Sequence, residues 1–314
     1  VAEVVIIGAG LTGLSAAYHF EKLGFFDYKI FESDDRPGGL LKSVHKNGFT
    51  FDQTGHWLHI SNPDFKLFLD TIAGLKQFSL VERKSGIFSH NVITEYPFQS
   101  NLYGLPTDVV AECIDGYVTR HTHIKKPINF YQWVLKYFGA GMGKHFFFPY
   151  NKKLLAYDLK KIHHSWTGRF VPPTSLQAII RGAIENNTAK NIGYNSCFYY
   201  PLSGGIEFII KQLTAQLTNT VATQHKVTHI DAIQKIVFFE NGAQERYKHL
   251  ITTMPLNQLL VLTKADSRSS VQNAAHKLLC NGVININLGF KNQLAFNQHW
   301  LYFPEHTVPW YRIG

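Results

Sequence analysis

The chain has 314 residues, of which 45% are hydrophobic and 17% charged, a composition typical of a globular protein with more than one domain. Its 31 basic and 22 acidic residues give a net charge of +9, which suits either a solvated basic surface or the attraction of polyphosphate ligands. The sequence has no Lys/Arg run or nucleic-acid module, no apolar run of about 18 residues and no zinc-like spacing of histidines. We therefore expect no nucleic-acid partner, no membrane span and no metal. The three cysteines, Cys113, Cys197 and Cys280, lie far apart, as expected of reduced thiols in a cytoplasmic protein.

The chain opens with the pattern of a βαβ unit. Val4–Ile7 is a β-branched apolar run that predicts a buried parallel strand. A glycine-rich turn, Gly8–Gly13, leads into a predicted helix over Leu14–Leu23, and Tyr28–Phe31 predicts the second strand. Glu32 follows that strand directly, at the position where such a unit carries an acid.

The turn has the GxGxxG spacing in Gly8, Gly10 and Gly13. Glycines let the backbone approach a pyrophosphate closely, and the start of the helix offers free N–H groups and the positive end of its dipole. The carboxylate of Glu32 can accept hydrogen bonds from ribose hydroxyls. The combination predicts a dinucleotide-binding site.

Later patterns extend this α/β fold and interrupt it. Apolar residues take helical spacing from about Leu102 to Asn186, which predicts a helical insertion. A hairpin is predicted at 43–51, a helix at Ile206–Leu217, and strands at Val227–Ile230, Ile236–Phe239, His249–Thr253 and Val283–Phe290. We expect a discontinuous Rossmann-like FAD-binding domain at 1–82 and 196–264, a helical substrate domain at 97–195, and a partial antiparallel sheet domain at 83–96 and 265–314.

The segment after the βαβ unit favours FAD over NAD as the dinucleotide. The loop Arg36-Pro-Gly38-Gly39-Leu40, followed by Thr54-Gly55-His56, is longer than a nicotinamide fold requires there. It resembles the flavin amine oxidase superfamily, in which the Gly-Gly pair lies over the flavin side of the pyrophosphate. Val227 matches the position whose backbone meets the adenine in that superfamily, although an ordinary place in a strand core explains it equally well.

Segments along the whole chain narrow the resemblance to one family. These are Arg83-Lys-Ser85, Tyr96-Pro-Phe-Gln99-Ser-Asn101, Phe148-Pro-Tyr-Asn151, Trp166-Thr-Gly168, Tyr200-Pro-Leu-Ser-Gly-Gly205, Trp300-Leu-Tyr302-Phe-Pro-Glu305 and Pro309-Trp-Tyr-Arg312. In order and spacing they resemble the UDP-galactopyranose mutase family, particularly its eukaryotic-type branch.

The resemblance implies a role for each matched position. Gly55 and His56 match a mobile loop that faces the flavin, and Arg83 and Ser85 match residues near the flavin edge. The nucleotide-contacting set is matched by Tyr96, Phe98, Gln99, Phe146, Asn151 and Asn195. Tyr302 and Arg312 match the pair that holds the substrate diphosphate, and with His56 they form the expected catalytic set. Phe98 and Phe146 also suit a core position, and Arg83 also suits a surface charge.

The activity that the resemblance implies is the interconversion of pyranose and furanose forms of a UDP-sugar for cell-surface glycans. In that family N5 of reduced FAD attacks the anomeric carbon, and NAD(P)H is the expected reductant. Two alternatives stay open: a redox flavoenzyme of the amine oxidase or desaturase type, and a nucleotide-sugar-binding relative without catalysis. A homo-oligomer is compatible with the sequence.

Three positions depart from the family pattern. Leu155 stands where many members carry a tryptophan, and Phe170 stands where they carry a diphosphate-binding arginine. Arg169, one residue earlier, is the candidate substrate-binding residue in place of that arginine, unless the one-residue shift abolishes the contact. The family continues beyond the position of Gly314 with a second glycine-rich flavin segment, so we expect the sheet domain and the site to be incomplete in this chain.

Overall fold

A computed structural model of the chain describes residues 2–168, 170–186, 197–264, 269–292 and 297–314. The chain forms two compact units: unit 1 comprises Val1–Leu80 and Tyr199–Gly289, and unit 2 comprises Val81–Phe198 and Phe290–Gly314. The helical segment and the sheet segments, which the sequence assigns to separate domains, thus share unit 2. The residues up to Gly289 that follow the expected end of the FAD-binding domain lie with unit 1.

The strands and helices follow one another in mixed order. The strands are β1 (Ala2–Ile7), β2 (Tyr28–Phe31), β3 (Ser43–Lys46), β4 (Phe49–Asp52), β5 (Phe78–Glu82), β6 (Ser85–Ser89), β7 (Val92–Glu95), β8 (Cys197–Pro201), β9 (Val221–Ala222), β10 (Val227–Asp231), β11 (Ile236–Phe239), β12 (Gln244–Thr252), β13 (Thr263–Lys264), β14 (Trp300–Tyr302) and β15 (Arg312–Ile313). The α-helices are α1 (Leu11–Lys22), α2 (Pro63–Ala73), α3 (Thr107–Val118), α4 (Phe130–Tyr137), α5 (Gly139–Met142), α6 (Phe148–Leu155), α7 (Leu176–Ile184), α8 (Glu207–Ala215), α9 (Leu256–Leu262) and α10 (Ser269–Lys277). Short 3-10 helices lie at Gly39–Leu41, Leu75–Gln77, Phe98–Ser100 and Ser165–Thr167, and a π-helical turn lies at Gly143–Phe147.

Unit 1 is built on a sheet in the order β13-β10-β11-β12-β1-β2-β9. Strand β1 lies between β2 and β12, parallel to both, with Ile7 opposite Phe31 on one side and Thr252 on the other. Its side chains are apolar on both faces, as in a buried parallel strand. Val4, Ile6 and Leu14 pack in a core with α1, α2 and α8, while Val5 and Ile7 pack with β10–β12. The α/β fold predicted from the sequence is confirmed.

Unit 2 combines the predicted helices with a four-stranded sheet in the order β15-β14-β6-β7. Two of its strand pairs are antiparallel, and β6 and β14 run parallel. Side-chain oxygens of Asn129 and Ser175 cap α4 and α7. Helices α3 and α5 pack backbone to backbone: a Cβ at Gly141 would lie 1.9 Å from the carbonyl oxygen of Glu112. These helices enclose a second apolar core around Phe98, Phe130 and Met142.

The predicted strand at Val283–Phe290 is wrong. The segment has no strand hydrogen bonds in the structure. Its alternation has another cause: the side-chain amides of Asn285 and Asn287 donate to backbone carbonyls of Gln53 and Asp52, at 2.9 and 3.0 Å. The intervening apolar side chains, such as Ile284 and Ile286, are exposed. The pattern of a half-exposed strand therefore arises from side-chain anchoring to β4 and the residue after it.

No helix in the described ranges is both long and apolar enough to cross a membrane.

Candidate functional site

The turn between β1 and α1 has a shape that only glycine permits. Gly8 has a φ of +97°, and a Cβ there would lie 2.2 Å from the hydroxyl oxygen of Thr253. A Cβ at Gly13 would lie 1.9 Å from the carbonyl oxygen of Gly8. The turn therefore brings bare backbone to the carboxyl end of β1, where open α/β sheets bind ligands.

Glu32 holds this turn in place. Its buried carboxylate accepts the N–H of Ala9 through Oε2 at 2.8 Å. Through Oε1 it accepts the hydroxyl of Ser33 at 3.0 Å and the N–H of Asp34 at 3.1 Å. One carboxylate thus ties the glycine turn to the end of β2. Its predicted contact with a ribose stays a prediction.

The Gly-Gly pair lies against the same turn. The N–H of Gly38 donates to the carbonyl of Ala9 at 2.9 Å, and Gly38 forms a parallel β-bridge with Gly10. Gly39 has a φ of +54°, and a Cβ there would lie 3.2 Å from Cα of Gly10. Two glycine segments distant in sequence therefore form one bare backbone surface.

This surface is one wall of a cleft of about 1310 Å³ in unit 1. The cleft exceeds the roughly 300–1,000 Å³ typical of small-molecule pockets, in line with an extended dinucleotide. Six of the predicted cofactor residues line it: Gly8, Gly10, Glu32, Gly38, Gly39 and Val227. Gly13 supports the turn from within α1. The bare backbone of Gly8, Gly10 and Gly39 lines the cleft, and this lining fits a flavin dinucleotide.

Gly55 and His56 belong to unit 1 and follow Gln53, which lines the cleft, by two and three residues. Neither of them is among the described residues that line the cleft. Nδ1 of His56 lies 3.0 Å from the carbonyl oxygen of Thr54 and 2.9 Å from the hydroxyl of the same residue. The imidazole is therefore held by its own loop. Its predicted approach to a flavin stays a prediction.

Unit 2 holds a second group of residues, on or directly beside β6, β7, β14, β15 and α6. Four of them, Arg83, Tyr96, Tyr302 and Arg312, were predicted from the sequence. We call the group the arginine–aromatic cluster; its members are Arg83, Tyr96, Tyr150, Trp300, Tyr302, Tyr311 and Arg312. The cross-strand register places Tyr302 opposite Arg312. The ring of Tyr302 lies 5.5 Å from that of Tyr96 and 5.4 Å from that of Tyr150, centroid to centroid.

Both arginines of the cluster lie over aromatic rings. The guanidinium carbon of Arg312 is 4.5 Å from the ring centroid of Trp300, and that of Arg83 is 5.3 Å from the ring centroid of Tyr96. Over the ranges that the structure describes, neither arginine forms an ion pair with a carboxylate. Their positive charge is therefore available to an anionic ligand, and the planar fork of arginine suits phosphate oxygens.

Three tyrosines of the cluster, Tyr96, Tyr150 and Tyr302, stay protonated at neutral pH. Burial raises the pKa of Tyr96 to about 12, with a further contribution from Tyr302 and an opposing one from Arg83. Burial also raises the pKa of Tyr302, against the lowering effect of both arginines, and it raises the pKa of Tyr150 well above its usual range. These hydroxyls can therefore donate hydrogen bonds to an anion beside two fixed positive charges.

Several predicted nucleotide-contacting side chains are occupied within the protein. Phe98 is fully buried and stacks on Phe146, with centroids 5.0 Å apart, and Phe146 stacks in turn on Tyr150 at 5.4 Å. Phe98 therefore occupies the core position that the sequence also allowed, and its predicted contact with a nucleotide stays a prediction. The side-chain amides of Gln99 and Asn151 donate to backbone carbonyls, of Pro172 at 2.6 Å and of Phe147 at 2.8 Å.

Ser85, Arg169 and Asn195 are also among the predicted site residues. Ser85 is buried on β6, and its hydroxyl has no hydrogen-bond partner among the described residues. Arg169 and Asn195 lie outside the described residues, so their predicted roles stay predictions.

The sequence reasoning missed Tyr150, Trp300 and Tyr311 as members of the cluster. All three belong to segments that carry the family resemblance, one or two residues from predicted site residues. The signal that could have identified them is their position in the sequence: Tyr150 adjoins Asn151, Trp300 lies two residues before Tyr302, and Tyr311 adjoins Arg312.

Comparisons with known proteins agree with this arrangement. The family described as flavin containing amine oxidoreductase matches residues 11–311. The crystal structure of reduced UDP-galactopyranose mutase superposes with a TM-score of 0.85 at 30% identity, over 99% of this chain and 69% of that one. A probable flavin-containing monoamine oxidase A of Dictyostelium discoideum is 33% identical over 127 residues, which are 40% of this chain. Protoporphyrinogen oxidase 2 of Arabidopsis thaliana is 34% identical over 98 residues, which are 30% of this chain.

These two curated relatives are much longer than the aligned segments, which cover 27% and 19% of their lengths. The discontinuous Rossmann-like fold and its bare glycine backbone define a flavin-binding protein. The chain belongs to the flavin-containing amine oxidoreductase family and, within it, to the UDP-galactopyranose mutase family.

Proposed function

We propose that the chain carries the flavin and nucleotide sites of an enzyme that interconverts the pyranose and furanose forms of a UDP-sugar. The observation that carries the proposal is the arginine–aromatic cluster: two guanidinium groups without a carboxylate partner in the described ranges, next to protonated tyrosines. An amine or an apolar substrate offers these groups no partner, whereas a diphosphate satisfies them. Cell-surface glycans as the destination, NAD(P)H as the reductant and a cytoplasmic location belong to the same proposal.

The residues of the chain divide the work. In unit 1 the backbone of Gly8, Gly10 and Gly39 accommodates the pyrophosphate of FAD. Reduced flavin, when bound, supplies a nucleophile for an anomeric carbon. In unit 2 Arg312 and Tyr302 bind the nucleotide diphosphate by charge-assisted hydrogen bonds. They keep it bound after it has left the sugar, so that its return is intramolecular.

The proposal is tested with the full-length protein, reconstituted with FAD and reduced with dithionite. UDP-galactofuranose is added, and UDP-galactopyranose is followed by chromatography. We expect conversion under reducing conditions and none with oxidised flavin. A flavin-loaded, reduced protein that yields no pyranose would contradict the mutase activity; UDP binding without conversion would identify a non-catalytic relative.

The variant Arg312→Met tests the anion site directly. Loss of one forked arginine contact to a phosphate costs roughly 2–5 kcal/mol, so we expect the Kd for UDP to rise more than tenfold in calorimetry. Arg246→Met removes an exposed arginine of β12 in unit 1 and should leave the Kd unchanged. Equal effects of both variants would exclude Arg312 as a diphosphate contact.

A second candidate is a redox flavoenzyme, because the curated relatives named above are oxidases. This function predicts oxygen consumption with an amine or porphyrinogen substrate and no affinity for UDP. Calorimetry with UDP and an oxygen electrode therefore distinguish the two candidates on the same preparation.

A further inference from the structure

Lys153 is half-buried in α6 and gathers backbone carbonyls from one connection of unit 2. Its Nζ donates to the carbonyl oxygens of Phe303 at 2.9 Å, Val308 at 2.6 Å and Trp310 at 3.3 Å, and also to that of Glu305. An ammonium group has three N–H donors, and here four carbonyl oxygens share them. The oxygens surround the charged nitrogen in the way that carbonyl oxygens surround a bound alkali cation.

The four carbonyls all belong to the connection between β14 and β15. That connection begins directly after Tyr302 and ends directly before Arg312, the two residues paired across the strands. The carboxylate of Glu305 also accepts the N–H of His90 at 2.5 Å, which ties the connection to the turn between β6 and β7. The connection therefore links Tyr302 to Arg312, and Lys153 is the cation at its centre.

Helix α6 presents a member of the cluster from the same side. Tyr150 lies three residues before Lys153, a spacing that puts both side chains on one face of a helix. Its ring meets the edge of Tyr302 at 5.4 Å. A single helix face therefore contacts the ring of Tyr302 and, through Lys153, the chain that follows it.

We propose that Lys153 is a positioning residue for the diphosphate site, which fixes the β14–β15 connection and with it the spacing of Tyr302 and Arg312. The inference rests on the proposed function for what the site binds. Lys153 itself uses its donors on the four carbonyls and leaves the anion to the arginines.

The first test is amide hydrogen exchange of Lys153→Met in the full-length protein with FAD bound. Lys152→Met is the matched control, because Lys152 is the exposed neighbour in the same helix and loses the same charge. We expect exchange over residues 303–311 to accelerate about tenfold or more in Lys153→Met and to stay unchanged in Lys152→Met. Unchanged exchange in Lys153→Met would overturn the proposal.

The second test is UDP affinity with chemical rescue. Lys153→Met should raise the Kd for UDP about tenfold, while FAD content stays at the wild-type ratio. In Lys153→Ala, added methylammonium should restore part of the affinity, because a free cation can enter the carbonyl shell; it should not do so in Lys153→Met. If methylammonium does not restore UDP affinity in Lys153→Ala, the positive charge of Lys153 does not position the site, and the proposal is overturned. Because this test uses Lys153→Ala, it remains decisive even if Lys153→Met does not fold.

The two proposals fail in different ways. If the wild type binds no UDP, the proposed function falls, and the exchange comparison still decides whether Lys153 fixes the connection. If the wild type binds UDP and Lys153→Met binds it equally well, the proposed function stands and the positioning role falls.

Discussion

At the scale of single residues, the glycine turn shows how little freedom the flavin site allows. Gly13 lies inside α1, where alanine is normally the more stable residue. Here a Cβ would meet the carbonyl oxygen of Gly8 at 1.9 Å, so the helix and the turn cannot both keep their places. The requirement comes from the close approach of two backbone segments, and helix propensity is overridden.

We predict that Gly13→Ala releases FAD. Displacement of the turn would withdraw the N–H groups that we propose bind the pyrophosphate, and we expect the Kd for FAD to rise at least tenfold. The flavin-to-protein absorbance ratio after purification and a fluorescence titration measure it. Gly282→Ala is the control, because a Cβ there meets nothing within 4 Å. A flavin-replete Gly13→Ala protein would show that the turn yields without cost.

Tyr96 gives the cluster a pH dependence of known sign. Its pKa in the folded protein, about 12, lies above the ordinary value of 10. Its contribution to stability is therefore complete below pH 10 and is lost as the pH rises from 10 to about 12, by at most about 1.4 kcal/mol per pH unit.

We predict that Tyr96→Phe weakens this alkaline loss of stability. Urea unfolding of wild type and variant on either side of pH 10 gives the free energy difference at each pH. The wild type should lose more free energy of unfolding on going to alkaline pH than Tyr96→Phe does. The exposed Tyr103 provides the control, and Tyr103→Phe should follow the wild type. Parallel curves for wild type and Tyr96→Phe would refute the assignment.

At the scale of elements, a buried carboxylate joins α8 to the β3–β4 hairpin. Glu207, in the first turn of α8, accepts Nε of Arg36 at 3.0 Å and the N–H of Ser43 at 3.3 Å. The hydroxyl of Ser43 donates to Asp52 at 2.6 Å, and Tyr200 donates to the other oxygen of Asp52 at 2.6 Å. The network holds the loop that carries the Gly-Gly pair against α8.

We predict that Glu207→Gln lowers the free energy of unfolding by about 1–3 kcal/mol, because a charged acceptor of two donors is replaced by a neutral one. Lys211→Met removes the exposed partner of Glu207 at 3.9 Å and should cost less than about 0.5 kcal/mol. Thermal or urea unfolding measures both. Equal costs would mean that the buried contacts with Arg36 and Ser43 contribute nothing.

The elements that the sequence predicts well are those with a strong local pattern. Strand β2 has the predicted bounds, Tyr28–Phe31, and α1 begins three residues earlier than predicted, because Gly10 itself is its N-cap. Strands β9 and β13 have two residues each, too few for any periodicity to show. The segment Val283–Phe290 mimics a strand because its asparagines, and not its backbone, bind β4 and the residue after it.

The candidate site divides in the same way. The glycine turn and Glu32 could be placed from the residues alone, because their spacing has one physical use. Arg83, Tyr96, Tyr302 and Arg312 could be placed only through a family resemblance, since strand pairing across more than 200 residues brings them together. For Phe98 the sequence left a core position and a nucleotide contact open, because a buried aromatic ring and a stacking platform look alike in sequence. The structure places it in the core.

At the scale of the whole molecule, the expected three domains appear as two compact units. The helical segment and the four-stranded sheet share one core, in which Ile87 of β6 packs with Phe98, Val134 and Ile179. Sequence patterns locate changes in periodicity, and they do not tell whether two neighbouring patterns bury their apolar faces together. The number of compact units therefore follows from which apolar faces share a hydrophobic core, and not from the number of changes in sequence periodicity.

The place of β1 in its sheet has a consequence for synthesis. Its neighbour β2 follows within about twenty residues, but its other neighbour, β12, is made some 245 residues later. At roughly 5–20 residues per second, a ribosome completes β12 roughly 12–50 s after β1 has been translated. For that time the nascent chain exposes an apolar strand edge that can pair with other chains. We therefore expect the yield of native protein in a cell to depend on chaperones that shield β1, as well as on the final free energy of folding.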